Sequence, residues 1–162
     1  AYSIGQASQP IISTNYGAGK GERISQVLRY ALGTAAVFGL IWLLLAELAP
    51  NLFIRIFMSP TEHILAIAPA IIRSYGLSFL LLPLNIFSTY YFQALMKPVT
   101  SFVVSVSREA VISGILVFLL PAVFSGSAIW FAMPLTELIA AVYVVIMMRN
   151  YTSQLPRERT GI

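Results

Sequence analysis

Four long apolar runs constrain this chain more than any other feature. The first, YALGTAAVFGLIWLLLA over residues 30–46, contains no charge and ends before Glu47 and Pro50. With its flanks it reaches the roughly 20 helical residues needed to cross a hydrocarbon core. Soluble domains have about a quarter of their residues charged, whereas here 10% are charged and 58% hydrophobic. The mean hydropathy is +0.82. So little polar surface cannot cover a globular fold in water, so lipid is the solvent for most of the chain. The predicted class is an all-α membrane protein, a polytopic transmembrane helix bundle with spans at about 27–49, 62–96, 98–121 and 126–149.

The residue inventory excludes most chemistry. The chain has no Cys and no Asp, and His63 is its single His. Thiolate catalysis, Cys or His metal clusters and Ser-His-Asp triads therefore lack their side chains. No enzyme activity, catalytic residue, metal site or cofactor is expected. The formal charge is +4, but the basic residues sit at the ends of apolar runs instead of interleaving with stacking aromatics. That placement predicts membrane lipids as partners and no nucleic acid.

The chain opens AYSIGQAS, with no initiator Met and no signal-peptide pattern, and is expected to be a piece of something longer. Residues 1–26 are predicted to be the end of a helix and a turn. Residues 50–64 predict a loop with a short interfacial helix, followed by a helix start at SPTE with Ser59 as N-cap, Pro60 at the first position and Glu62 in the first turn. Pro69 and Pro83 are expected to kink the second span, while Pro98 starts the third and Pro121 ends it. Residues 150–162 predict a polar tail.

Polar groups within the spans narrow the functional candidates. Asn85, Ser88 or Thr89, and Gln93 share one helical face, which serves either hydrogen bonding to neighbouring helices or lining of a cavity. Ser101, Ser105 and Arg108 share a face of the third span. Arg73, Arg108, Glu109 and Glu137 are charges in apolar surroundings and must turn away from lipid. Small residues at four-residue spacing, Ala31, Ala35 and Gly39 in the first span and Ala132, Thr136 and Ala140 in the fourth, allow close helix approach.

Orientation follows from the Lys and Arg distribution. Lys20, Arg23 and Arg29, then Lys97, then Arg149, Arg157 and Arg159 fall on one side of a four-span chain, against Arg55 in the opposite loops. The positive-inside rule puts the first turn and the C-terminus in the cytoplasm.

The stretch SQPIISTNYGAGKGERI first suggests a phosphate loop. A Walker A loop ending in Gly19 and Lys20 would need Gly at 14 and Ser or Thr at 21, where the chain has Thr14 and Gly21. The spacing of Gly17, Gly19 and Gly21 also fails the dinucleotide fingerprint. Glycine next to positive charge instead fits a cytoplasmic turn after a helix.

The residues before the turn carry a resemblance. Gln9, Pro10, Asn15, Tyr16, Gly17 and Ala18 resemble the Q-P-x-x-x-x-N-[YF]-G-A signature of the multidrug and toxic compound extrusion (MATE) family. FMSPTEHI, FQALMKPVTSFVVSVSRE and SGSAIWFAMPLTELIAA are similar to later parts of the same family. The resemblance spans the whole chain, from the end of helix eight to the C-terminal tail, and implies a partial six-helix lobe of a twelve-helix MATE-type transporter.

What the resemblance implies is export of organic, often cationic compounds in exchange for H+ or Na+ by alternating access, in a bacterial cytoplasmic (inner) membrane. Small organic cations and the missing N-terminal lobe of the same transporter are the implied partners. The substrate-cavity candidates are Asn85, Thr89, Gln93 and Ser105, with Tyr90, Tyr91 and Phe92 as aromatic surface for cations. The coupling ion is expected to bind outside this chain. Desolvation makes an isolated intramembrane carboxylate such as Glu137 a candidate for proton coupling, and pairing with Arg73 or Arg108 is the preferred role. Competing functions are a lipid-linked oligosaccharide flippase of related architecture and a non-transporting membrane scaffold.

Overall fold

The computed structural model describes residues 1–57 and 59–156. Eight α-helices with short 3-10 and π segments account for nearly all of them, and no strand occurs among the described residues. Four helical segments are long and apolar enough to cross a membrane: Gly21–Leu48, Glu62–Ala94, Pro98–Val123 and Gly126–Ser153.

Helix α1 spans Tyr2–Gly17 and continues through Pro10. It closes with the Ala18 N–H donating to the Thr14 carbonyl at 3.1 Å and the Lys20 N–H to the Asn15 carbonyl at 2.9 Å. Gly19, at φ +69°, supplies the left-handed residue that this tight reversal requires. Helix α2 (Gly21–Leu48) then starts earlier than the expected residue 27, because nothing separates the amphipathic 23–29 stretch from the apolar run. Glu22 in its first turn complements the helix dipole.

The buried stripe of α2 is Ile24, Leu28, Ala31, Ala35, Gly39 and Ala46, the periodicity expected of one helix face. At Gly39 the fit is closest. A Cβ there would stand 2.7 Å from the Phe79 carbonyl oxygen and 3.0 Å from that of Leu80, so the predicted small-residue stripe accommodates backbone, not just side chains.

The loop after α2 is helical: α3 covers Pro50–Phe57. Helix α4 (Glu62–Gly76) is capped by Thr61 instead of Ser59, its hydroxyl accepting from the Ile64 N–H at 3.4 Å. Pro60 stays outside the helix, and Thr61 places its oxygen three residues before the N–H it satisfies. The helix continues through Pro69. The second span breaks instead at a 3-10 stretch, Leu77–Leu80, before α5 (Leu82–Ala94). Pro83 sits in the first turn of α5, where its missing N–H costs no helical hydrogen bond.

The third span is α6 (Pro98–Val106), a π-helical turn (Ser107–Ile112) and α7 (Ser113–Val123). Pro121 lies inside α7 and does not end it. A 3-10 segment, Gly126–Phe131, leads into α8 (Ala132–Ser153). The fourth span therefore extends beyond residue 149, and the predicted tail begins only after Ser153. Its residues 157–162, with Arg157 and Arg159, lie outside the described residues.

Helix α5 occupies the centre, packed against α1, α2, α6 and α8. Its Phe87, Tyr91, Phe92 and Leu95 join Ile12, Ile24, Leu28, Val104 and Val144 in the core. Large apolar side chains such as Leu40, Phe102, Phe118 and Ile146 remain outside, the distribution expected where the surrounding solvent is lipid. Contacts gather the turns after α1 and α5 and the end of α8 at one bundle end: Lys97 Nζ lies 5.4 Å from the Tyr151 ring centroid, and Gly21 packs closely against Leu155 and Pro156. At the other end, Arg73 Nε donates to the Glu47 carbonyl at 3.1 Å, placing a cation at the C-terminus of α2.

Candidate functional site: a buried charge junction

Three spans bring Asn85, Arg108 and Glu137 together. Arg108 lies in the π turn, Asn85 near the start of α5 and Glu137 early in α8. Arg108 Nη1 donates to Glu137 Oε1 at 2.9 Å, and Arg108 Nη2 to Glu109 Oε1 at 2.7 Å. Asn85 Nδ2 donates to Glu137 Oε2 at 2.6 Å and to the Glu137 carbonyl at 2.9 Å. The partner of Glu137 is thus Arg108 and not Arg73, which serves α2.

Burial makes the junction stringent. Glu137 and Asn85 are fully buried and Arg108 is 6% exposed, so Coulomb attraction is strong and an unpaired charge would be costly. Both carboxylate oxygens of Glu137 are occupied, one by the guanidinium and one by an amide. Glu109, 62% exposed, takes the other arm of Arg108 at the bundle surface. One guanidinium therefore serves two acidic side chains. Asn85 Oδ1 and Arg108 Nε are the buried side-chain atoms without a partner among the described residues. The π turn carries the two consecutive third-span residues of the junction, Arg108 and Glu109, and such turns occur often at functional sites.

A second polar group lies nearer the turns. Gln93 Nε2 donates to Ser101 Oγ at 3.1 Å, Ser101 Oγ to the Thr89 carbonyl at 3.0 Å, and Gln9 Nε2 to Gln93 Oε1 at 3.3 Å. The four cavity candidates accordingly have different settings. Asn85 is committed to Glu137, Thr89 donates its hydroxyl to the Ile86 carbonyl, Gln93 is exposed and Ser105 half-buried. Among the aromatics, Tyr91 and Phe92 fill the core, leaving Tyr90 half-buried.

The MatE family model matches residues 1–119, most of the chain. The chain belongs to the MatE family. Family members are transporters, generally for efflux, and not enzymes. Neither the curated proteins nor the solved structures yield a match.

In this MatE chain the motif residues run from the middle of α1 to just past its end. Gln9 reaches Gln93; Pro10 is inside the helix; Asn15 Nδ2 donates back to the Ile11 carbonyl at 2.8 Å; Tyr16 packs against the core; Gly17 ends the helix and Ala18 follows it. The sequence did not single out the pair of hydroxyl ties between helices, Tyr91 Oη to Thr152 Oγ1 at 2.7 Å and Thr100 Oγ1 to Tyr151 Oη at 2.8 Å. Their only sequence signal was a cluster of Tyr and Thr at the end of the fourth span. The Asn85–Glu137 contact was equally hidden, because the two residues are remote in sequence and single residues carry no pairing information.

Proposed function

We propose that this chain forms most of the second lobe of an efflux antiporter that exports small organic cations in exchange for H+ or Na+ by alternating access, with its first turn and C-terminus in the cytoplasm of a bacterial cell. The observation that carries the reading is the family match over residues 1–119. Two further features support it. The bundle buries a charged junction within membrane-spanning helices, an arrangement retained where function or interhelical specificity requires it. Its motif residue Gln9 meets Gln93, the most exposed of the polar candidates.

In this reading Glu137 holds the third and fourth spans to α5 through Arg108 and Asn85, and the coupling ion binds in the partner lobe. Gln93, with Thr89 and Ser105, offers substrate contacts when the two lobes face each other. Alternating access needs a ligand that distinguishes two global states, and a lobe locked internally by buried polar contacts moves as a body against its partner. Efflux of a fluorescent organic cation from cells producing the transporter tests the proposal. Export that survives complete collapse of both the proton and sodium gradients would refute the antiport mechanism.

A further inference from the structure

The cleft between the start of α2 and the end of α8 is about 720 Å³ and is bordered by Glu22, Ser25, Arg29, Arg149, Thr152 and Ser153. Arg29 and Arg149 are the first charges beyond the uncharged runs 30–46 and 138–148. Both guanidiniums therefore stand at the level where acyl chains give way to headgroups, on the same end of the bundle. We propose that this cleft is a binding site for the phosphate headgroup of an anionic phospholipid.

The chemistry of the wall favours an anion. Among the described residues two guanidiniums oppose one carboxylate, Glu22. The first turn of α2, whose N-cap Lys20 makes no side-chain cap, borders the same space with the positive end of a 28-residue helix. The hydroxyls are already committed: Ser25 Oγ donates to the Gly21 carbonyl at 3.0 Å, Thr152 Oγ1 to that of Met148 at 2.6 Å and Ser153 Oγ to that of Asn150 at 2.8 Å. Recognition is left to the arginines, whose planar forks suit phosphate oxygens. Basic pockets between spans on the cytoplasmic side are the usual setting for anionic headgroups. This site requires the membrane setting and not the export reaction, so it stands whatever is transported.

Lipid retention and thermal unfolding of the purified full chain in neutral detergent test the assignment, with phosphatidylglycerol, phosphatidylcholine and inorganic phosphate as probes. Phosphatidylglycerol raises the unfolding temperature and is retained through purification, and phosphatidylcholine does neither. Arg29→Gln and Arg149→Gln each weaken phosphatidylglycerol retention about fivefold, as expected for one basic contact at an anionic surface. Arg55→Gln, at the other bundle end, leaves it unchanged. Glu22→Gln, which removes the opposing charge and spares the arginines, strengthens it, so the assignment remains testable if an arginine variant fails to fold. Equal retention of the two lipids, undiminished retention in folded arginine variants, or unchanged retention in Glu22→Gln overturns the site. Stabilisation by inorganic phosphate alone, matching that by phosphatidylglycerol, makes it a soluble-anion site and overturns the lipid assignment.

Discussion

Arg108 and Glu137 meet at 2.9 Å between the third and fourth spans, the acid fully buried and the arginine 6% exposed. Removing one partner of such a pair strands the other charge, at a cost of about 3–5 kcal/mol. Glu137→Ala is therefore expected to lower unfolding stability in detergent by that order, whereas Glu109→Gln, at a carboxylate 62% exposed, costs less than about 1 kcal/mol. Replacing both partners with apolar residues, Arg108→Met with Glu137→Leu, recovers much of the loss. Chemical denaturation of the four proteins checks the order, and a larger effect at Glu109 would contradict the junction.

Asn85 and Gln93 share a helix but not a setting. Asn85→Ala leaves a Glu137 oxygen without its amide donor and is expected to cost about 1–3 kcal/mol. Gln93→Ala, at an exposed position that donates to Ser101 Oγ, costs about 1 kcal/mol or less and instead raises the organic-cation concentration needed for half-maximal efflux. Thermal unfolding and transport measured on both variants separate the two roles; a Gln93 variant with unaltered transport removes that residue from the substrate path.

The close approach at Gly39 gives a further expectation. A side chain there meets the Phe79 and Leu80 carbonyls at 2.7 and 3.0 Å, whereas a Cβ at Gly33 meets nothing within 4 Å. Gly39→Leu should destabilise the bundle by about 1–3 kcal/mol through overpacking, and Gly33→Leu should be tolerated. Comparable losses in the two variants, read from detergent unfolding, would show that α2 does not pack on the 3-10 break.

The contrast between these positions also shows what the sequence could reveal. Ala31, Ala35 and Gly39 were legible as a close-packing face because helical periodicity is local, and so were the four spans, because hydropathy is additive along the chain. The interruption of the second span at Pro83 was legible too, as the 3-10 stretch just before it shows, but the continuation through Pro69 and Pro121 was not, since neighbouring helices decide whether a proline's missing hydrogen bond is tolerated. Glu137 was recognisable as a charge needing a partner. The choice of Arg108 over Arg73 required the packing of the spans, which sets Arg108 against Glu137 and sends Arg73 to the end of α2.

Orientation is testable by thiol labelling in a transporter whose only cysteine is the one introduced, and this chain contributes none of its own. Single substitutions Lys20→Cys and Gln154→Cys place thiols at the end where the turns gather, and Asn51→Cys and Glu62→Cys place them at the other. In intact cells a membrane-impermeant maleimide should label only the second pair, with the first labelled after permeabilisation. The opposite pattern would invert the proposed topology.

Uptake and efflux of ethidium in cells lacking other exporters test the central claim most directly. Cells producing the transporter that contains this chain are expected to accumulate less ethidium than cells without it, and an ionophore that collapses the coupling gradient should abolish the difference. Equal accumulation with and without the protein, once its presence in the membrane is verified, would contradict the assignment of organic-cation efflux.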